Sequence, residues 1–259
     1  MYTKILIAGA NSYIASQCIP GLNPGNSDIF LVSRGLVNSN FVFERNQVKR
    51  LEIKDYKDVD VLKRLVDFLQ LNSSDRLLII SFIGSFGSIE SLSTLSLESF
   101  CLEVNENLIP FMVLSKLITI CKEGLFLSFS GAGVGGDNLE LASPSYLASK
   151  ASLAILIEGL DSQFKGKGIR FGAISPGAFP SKMQKFVAES LSEGIVTAER
   201  REQALKTLDT DVNPSNLIRM LNFLIQNPES AGGRVWSANF DQPTNDIKIK
   251  NFGKLRRVF

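Results

Sequence analysis

Tyr146 and Lys150 stand four residues apart in the stretch Ser145-Tyr146-Leu147-Ala148-Ser149-Lys150, just as a helical pattern begins. On a helix, positions i and i+4 share a face, so this spacing brings a phenol and an amine together. An ammonium beside a phenol favours the phenolate and is expected to draw its pKa down from about 10. Tyr146 is then a candidate proton donor and acceptor. The chain has no histidine, so the side chain that most often moves protons near neutral pH is missing. Proton transfer would fall to a tyrosine, lysine, cysteine or carboxylate.

The elements that must position this pair can be read from the apolar pattern. Strands are expected over Lys4 to Ala8, Ile29 to Val32, Val48 to Ile53, Arg76 to Ile83, Leu125 to Phe129, Ile169 to Ile174 and Arg234 to Ala238. Helices are expected between them: from Ser12 to about Gly21, from Asp58 to Leu71, from Leu97 to Cys121, and from Tyr146 to about Phe164. Asn213-Pro214 opens a further helix and Asn227-Pro228 closes it. Alternating strands and helices imply an α/β, Rossmann-type, doubly wound and mainly parallel sheet of about seven strands with helices on both faces. The pattern has no repeat or linker, so residues 1–259 are expected to form a single domain.

The 259 residues are 44% hydrophobic and 21% charged, enough to bury one large core. A formal net charge of +2 gives no reason to expect nucleic acid as a partner. Cys18, Cys101 and Cys121 form no C-x-x-C motif, which argues against a zinc site or a disulfide framework and for a reducing, cytoplasmic setting. No apolar run reaches the ~18 residues that span a bilayer.

In open parallel sheets ligands gather at the carboxyl ends of the strands. The residues there are Gly9 to Ala15, Ser33-Arg34, Asp55, Gly84, Ser130 and Pro176-Gly177. The order of motifs, with Y-x-x-x-K, an upstream serine, V-N in the long helix and P-G-x-x-x-S, resembles the short-chain dehydrogenase/reductase family over nearly the whole chain. The resemblance implies that Tyr146 is the catalytic acid/base and that Lys150 lowers its pKa and binds the nicotinamide ribose. It implies that Ser130 hydrogen-bonds the substrate carbonyl, and that Asn105, in Val104-Asn105, holds a relay water. Ser130 is preferred to Ser128 because Ser130-Gly131-Ala132-Gly133 sits as the family's S-x-x-G does.

For the cofactor, the resemblance points to Gly9, Asn11, Ser12, Tyr13 and Ile14 around the pyrophosphate. Tyr13 and Ala15 stand where short-chain members carry glycine, so the loop looks more like that of the sugar-nucleotide-modifying branch. Ser33 with Arg34 favours NADP(H) over NAD(H), since an arginine can hold a 2′-phosphate. Asp55 resembles the adenine-contacting aspartate and Gly84 the last residue of N-N-A-G. Pro176, Gly177 and Ser181 resemble the nicotinamide side. Residues from about 178 to 211 should cover the substrate.

The implied activity is an NADP(H)-dependent oxidoreductase interconverting a carbonyl and a secondary alcohol on a small molecule, with a sugar-type substrate as one reading. An epimerase with transient hydride transfer and a non-enzymatic nucleotide sensor are the alternatives. The resemblance also implies a homodimer or homotetramer packed through the helices at about 97–121 and 146–164, with Leu108, Phe111, Met112, Leu153 and Leu156 as contact candidates. Neither nucleic acid nor a membrane is an expected partner.

Overall fold

Ile5 and Ile7 pack on one side of the first strand, Leu6 and Ala8 on the other. All four are buried, as in an inner strand of a parallel sheet covered on both faces. The computed structural model describes residues 2–35, 41, 47–87, 89–90, 93–130, 143–189, 196, 198–210, 213–239 and 241. Its strands are β1 (Lys4–Ala8), β2 (Asp28–Ser33), β3 (Val48–Glu52), β4 (Arg76–Ser81), β5 (Glu123–Phe129), β6 (Ile169–Ser175) and β7 (Val235–Ser237). They form one 7-stranded sheet in the order β3-β2-β1-β4-β5-β6-β7, parallel at every pairing.

Helix α1 (Tyr13–Cys18) and helix α7 (Ser215–Gln226) bury Ala15, Cys18, Leu217, Met220, Leu221 and Leu224 against one face of the sheet. Helices α2 (Val61–Leu69), α3 (Leu97–Ile118) and α4 (Pro144–Phe164) cover the other with Leu65, Leu69, Phe111, Leu114, Leu153 and Ile157. Helices α2 and α7 are amphipathic at the helical period, while α3 and α4 carry apolar residues around much of their surface; together the two layers exclude water from both sides of the sheet. Helices α5 (Lys182–Glu189) and α6 (Ala198–Leu208) occupy the region expected to cover the substrate. They bury a small separate cluster of Ile89, Val187, Val196 and Ala204. The four-residue helix α8 (Pro228–Ala231) leads into β7.

Some boundaries differ from the sequence expectation for local reasons. The first helix ends at Cys18 and tightens to a 3₁₀ turn over Ile19–Gly21, because Pro20 has no N–H to continue the α-helical ladder. Helix α2 begins at Val61 and closes at Gln70, which adopts a left-handed φ of 49°, as helix C-termini commonly do. Helix α3 runs through Pro110, which cannot donate to the Glu106 carbonyl. The glycine-rich stretch 131–136 and the basic tail 247–257 lie outside the described residues.

Helix α4 is fixed to the sheet by a buried ion pair. Arg170, on β6, donates to Asp161 through Nε at 2.8 Å and Nη2 at 3.0 Å, and the Phe171 N–H adds a third bond at 3.0 Å. A bidentate Arg–carboxylate pair is strong and strongly directional. It anchors the C-terminal half of the helix whose first two turns carry Tyr146 and Lys150. Of the residues considered for a subunit contact, Phe111 and Leu153 are instead buried in the core, and Leu108 and Leu156 pack against it. Met112 stays partly exposed.

Candidate active site

The strand order reverses between β1 and β4, which are neighbours although β2 and β3 intervene in sequence. Such a switch point leaves a crevice at the carboxyl ends of the two strands. Here it is a cleft of about 620 Å³ whose lining includes Gly9, Ser12, Ser33, Arg34, Asp55 and Gly84. Asn11 and Asn105 also border it, as does Lys182 at the start of α5. The sequence-predicted residues of β1 to β4 therefore converge on one cavity, of a size common for cofactor sites.

Each wall has a local cause. Gly9 takes φ +74°, and a Cβ there would lie 2.9 Å from the carbonyl carbon of Phe82, so the β1 and β4 loops can pass only at glycine. Ser12 caps α1 by accepting from the Ala15 N–H at 3.1 Å. Helix geometry leaves the Tyr13 and Ile14 N–H groups without intrahelical acceptors, pointing out of the first turn. Tyr13 itself is 40% exposed and Ala15 fully buried. One non-glycine side chain thus turns outward, while the other is small enough for close helix–strand packing. A gap bounded by glycine backbone and free turn N–H groups fits the pyrophosphate of a dinucleotide.

At the other end of the cleft Ser33 is buried; its Oγ accepts from Asn11 Nδ2 at 3.2 Å and donates to the Gly35 carbonyl. The Arg34 guanidinium is largely exposed and 4.0 Å from Glu106 on α3. Asp55 accepts from the Lys57 N–H at 2.8 Å, closing a local turn; it does not cap α2, which starts six residues later. On the opposite side of the molecule's active face, Gly177 takes φ +86° against Asn239. Ser181 caps α5, accepting from the Gln184 N–H at 3.4 Å. Pro176, Gly177 and Ser181 follow β6 in sequence and do not border the cleft.

Tyr146 and Lys150 are 5% and 3% exposed. Lys150 Nζ lies 5.6 Å from the centre of the Tyr146 ring and donates to the Phe129 carbonyl at 3.2 Å. A Cβ on Gly84 would come within 3.3 Å of that same Nζ, so the lysine reaches from α4 to the cleft floor. Ser130, the next residue after β5, is 6% exposed, and its hydroxyl has no partner among the described residues. Ser128 lies two residues earlier and so on the same side of an extended chain. It is separated from Ser130 by its place in the sheet, registered between Ser81 and Ala173.

One expectation is corrected. The Tyr146 hydroxyl is pushed up to about 12, first by burial and then by the Glu103 carboxylate, with Arg200 opposing. The lysine is not among the causes; instead burial lowers Lys150 to about 8. In a dry site the cost of creating charge outweighs a neighbour's attraction. Asn105 borders the cleft and is exposed. Asn107 is the asparagine that is buried, accepting from the Ser85 N–H at 3.0 Å and donating to the carbonyls of Ser85 and Glu103, each at 3.0 Å.

The two asparagines are two residues apart, about 200° around a helix, so only one can face the sheet. The signal was present in the sequence: Asn107 falls in register with Glu103, Pro110, Phe111 and Leu114, all buried, and Asn105 does not. Glu103 was missed altogether. It is 4% exposed, and a carboxylate on an otherwise apolar stripe is the mark by which it could have been found.

No family model matches the chain, and no curated protein matches it in sequence. Its fold, in contrast, has many counterparts among solved structures. A short-chain dehydrogenase/reductase from Saccharomyces cerevisiae superposes with a TM-score of 0.75 at 16% identity, covering 94% of this chain and 98% of that one. The aldohexose dehydrogenase of Thermoplasma acidophilum gives 0.69 at 14% identity, covering 96% and 100%. A 4-hydroxyisoleucine dehydrogenase solved with NADH gives 0.63 at 20% identity, covering 90% and 96%. A parallel seven-stranded sheet in this order, with a glycine-walled cleft at its switch point, is the fold of the short-chain dehydrogenases/reductases, and this chain has that fold over nearly its whole length.

Proposed function

We propose that the protein is a short-chain dehydrogenase/reductase that uses NADP(H) to interconvert a carbonyl and a secondary alcohol. The observation that carries this reading is the buried hydroxyl of Ser130, which has no partner among the described residues and shares the end of β5 with the Phe129 carbonyl held by Lys150. A buried hydroxyl without a partner costs about 1–3 kcal/mol, a cost that a substrate oxygen accepting from it would remove. The fold supports the class of reaction, since the solved structures that share it are dehydrogenases and reductases by name.

A nicotinamide dinucleotide bound in the cleft would supply or accept the hydride. In the reducing direction the Tyr146 hydroxyl gives its proton to the carbonyl oxygen as that oxygen takes up negative charge, and Ser130 donates a hydrogen bond to the same oxygen. Solvent then restores the proton to Tyr146. A phenol held near 12 is fully protonated at neutral pH, which suits carbonyl reduction. Lys150 holds the ribose and carries charge next to the phenol. Asn107, rather than Asn105, is the asparagine placed to support the lysine, because it shares the Gly84 corner with Lys150 Nζ.

Arg34 supports the NADP(H) preference: it stands exposed at the end of β2, 4.0 Å from Glu106, a contact that a 2′-phosphate could replace. A sugar-type substrate is supported by the aldohexose dehydrogenase among the fold neighbours. Helices α3 and α4 expose Met112 and Ile155, in keeping with a homodimer or homotetramer. The test is a panel of ketones, aldoses and sugar nucleotides assayed for NADPH and NADH oxidation, with Tyr146→Phe as control. Oxidation by the native chain and its loss in the variant supports the reading. Undiminished turnover by the phenylalanine variant, or product formation without net cofactor oxidation, overturns it.

A further inference from the structure

Glu103 is a buried carboxylate for which the proposed reaction has no use. It sits on α3 one turn before Asn107, is 4% exposed, and has both oxygens engaged. Oε1 accepts from the Gly87 N–H at 2.7 Å, and Oε2 accepts from the Ser145 hydroxyl. Ser145 immediately precedes Tyr146 at the start of α4. Gly87 ends the segment 82–87, whose Gly84 borders the cleft and meets Lys150 Nζ. The fit at Gly87 is close, because a Cβ there would fall 2.9 Å from the Glu103 carboxyl carbon. The same segment places Phe86 edge-on to the Tyr146 ring, 5.1 Å between centroids. One carboxylate thus joins the cleft-side loop, the long helix and the first turn of the catalytic helix.

Burying a carboxylate is costly unless its hydrogen bonds and its charge serve the structure around it. Among the described residues, charged groups approach Tyr146 from three helices. Glu103 faces it from α3 and Arg200 from α6, while Lys150 lies one turn along α4; the 82–87 segment contributes only the uncharged Phe86. Of these, Glu103 is the single negative group, and it opposes formation of a phenolate.

We propose that Glu103 is a positioning residue: its two hydrogen bonds hold the first turn of α4 against the 82–87 loop, and so set a carboxylate where it disfavours a phenolate at Tyr146. The proposal rests on Tyr146 being the acid/base group and deepens that reading by naming the residue that holds the catalytic turn in place. The raised Tyr146 value agrees with it, although burial is the larger cause.

The test separates charge from contact. Glu103→Gln keeps both contacts, since its amide oxygen accepts from Gly87 and its NH₂ donates to a rotated Ser145 hydroxyl, but it removes the charge. Glu103→Ala removes both. Ser145→Ala removes one contact and keeps the charge. Tyrosine ionisation is followed by NMR of the chain labelled at tyrosine Cζ, with Tyr146 identified by its loss in Tyr146→Phe; this needs no substrate. The Tyr146 midpoint is expected to fall by about one pH unit or more in both Glu103 variants and to stay near the native value in Ser145→Ala. A native-like midpoint in Glu103→Gln or in Glu103→Ala overturns the proposal.

With a substrate from the panel, the loss of carbonyl reduction at high pH should begin about one pH unit earlier in Glu103→Gln, with KM for the cofactor changed less than kcat. An unshifted pH profile counts against Glu103 alone. Full activity in Tyr146→Phe counts against the reaction itself, so the two failures are distinguishable.

Discussion

Lys150 Nζ lies 5.6 Å from the centre of the Tyr146 ring yet directs its hydrogen bond elsewhere, to the Phe129 carbonyl at 3.2 Å. The lysine is thereby tied to the end of the strand that carries Ser130. Three groups from two elements then share one corner without salt-bridging one another. The lysine's charge is held in a dry place by a single carbonyl, and this has consequences for stability as well as catalysis.

Lys150→Met should make the protein more stable at pH 7 while abolishing most turnover. Burial lowers the folded pKa from 10.5 to about 8, a penalty on the order of 3 kcal/mol, offset by about 1 kcal/mol for the lost hydrogen bond. Below pH 8 both folded and unfolded chains are protonated, so the whole penalty is present. Between pH 8 and 10.5 only the unfolded chain keeps the proton, so native stability rises with pH. Urea unfolding of both proteins at pH 7 and pH 9.5 checks this: a gain of about 2 kcal/mol for the variant at pH 7, narrowing at pH 9.5, is expected.

Asn107→Ala should destabilise the fold and the site far more than Asn105→Ala. Asn107 makes three bonds of 3.0 Å, two of which hold Ser85 to α3, and losing those two leaves buried backbone groups unpaired, at about 2–3 kcal/mol. Asn105 is exposed, and its truncation should cost less than about 0.5 kcal/mol. Thermal unfolding distinguishes the two; equal losses would contradict the assignment of Asn107 as the clamp.

Gly9→Ala should weaken cofactor binding at least tenfold. Its φ of +74° and the 2.9 Å approach to Phe82 leave no room for a methyl group, at a cost of about 1–2 kcal/mol in backbone strain alone. Titration of NADPH fluorescence measures the affinity, and native-like binding would show that the loops part without penalty.

Asp161→Ala should destabilise the protein by about 3–5 kcal/mol, since it strips a buried Arg170 of its bidentate partner. Denaturant unfolding reads the loss. The effect on turnover should follow stability, because the pair lies far along α4 from Tyr146.

The architecture was legible in the order of residues. The continuous apolar runs Ile5 to Ala8 and Leu77 to Ile80 suit strands covered on both sides, and the helices between them supply the cover. The pairing of Tyr146 with Lys150 was equally local, set by one helical turn. What sequence alone could not decide was which groups end up in a dry environment. Asn105 and Asn107 differ by a rotation that matters only once α3 lies on the sheet, and Glu103 meets Ser145 across 42 positions. The phenol's proton affinity was misjudged for the same reason: local spacing brings the lysine near, but burial and a carboxylate from another helix set the balance. Spacing along the chain fixes who can be neighbours; desolvation, which exists only after the helices close over the sheet, decides what those neighbours do to one another.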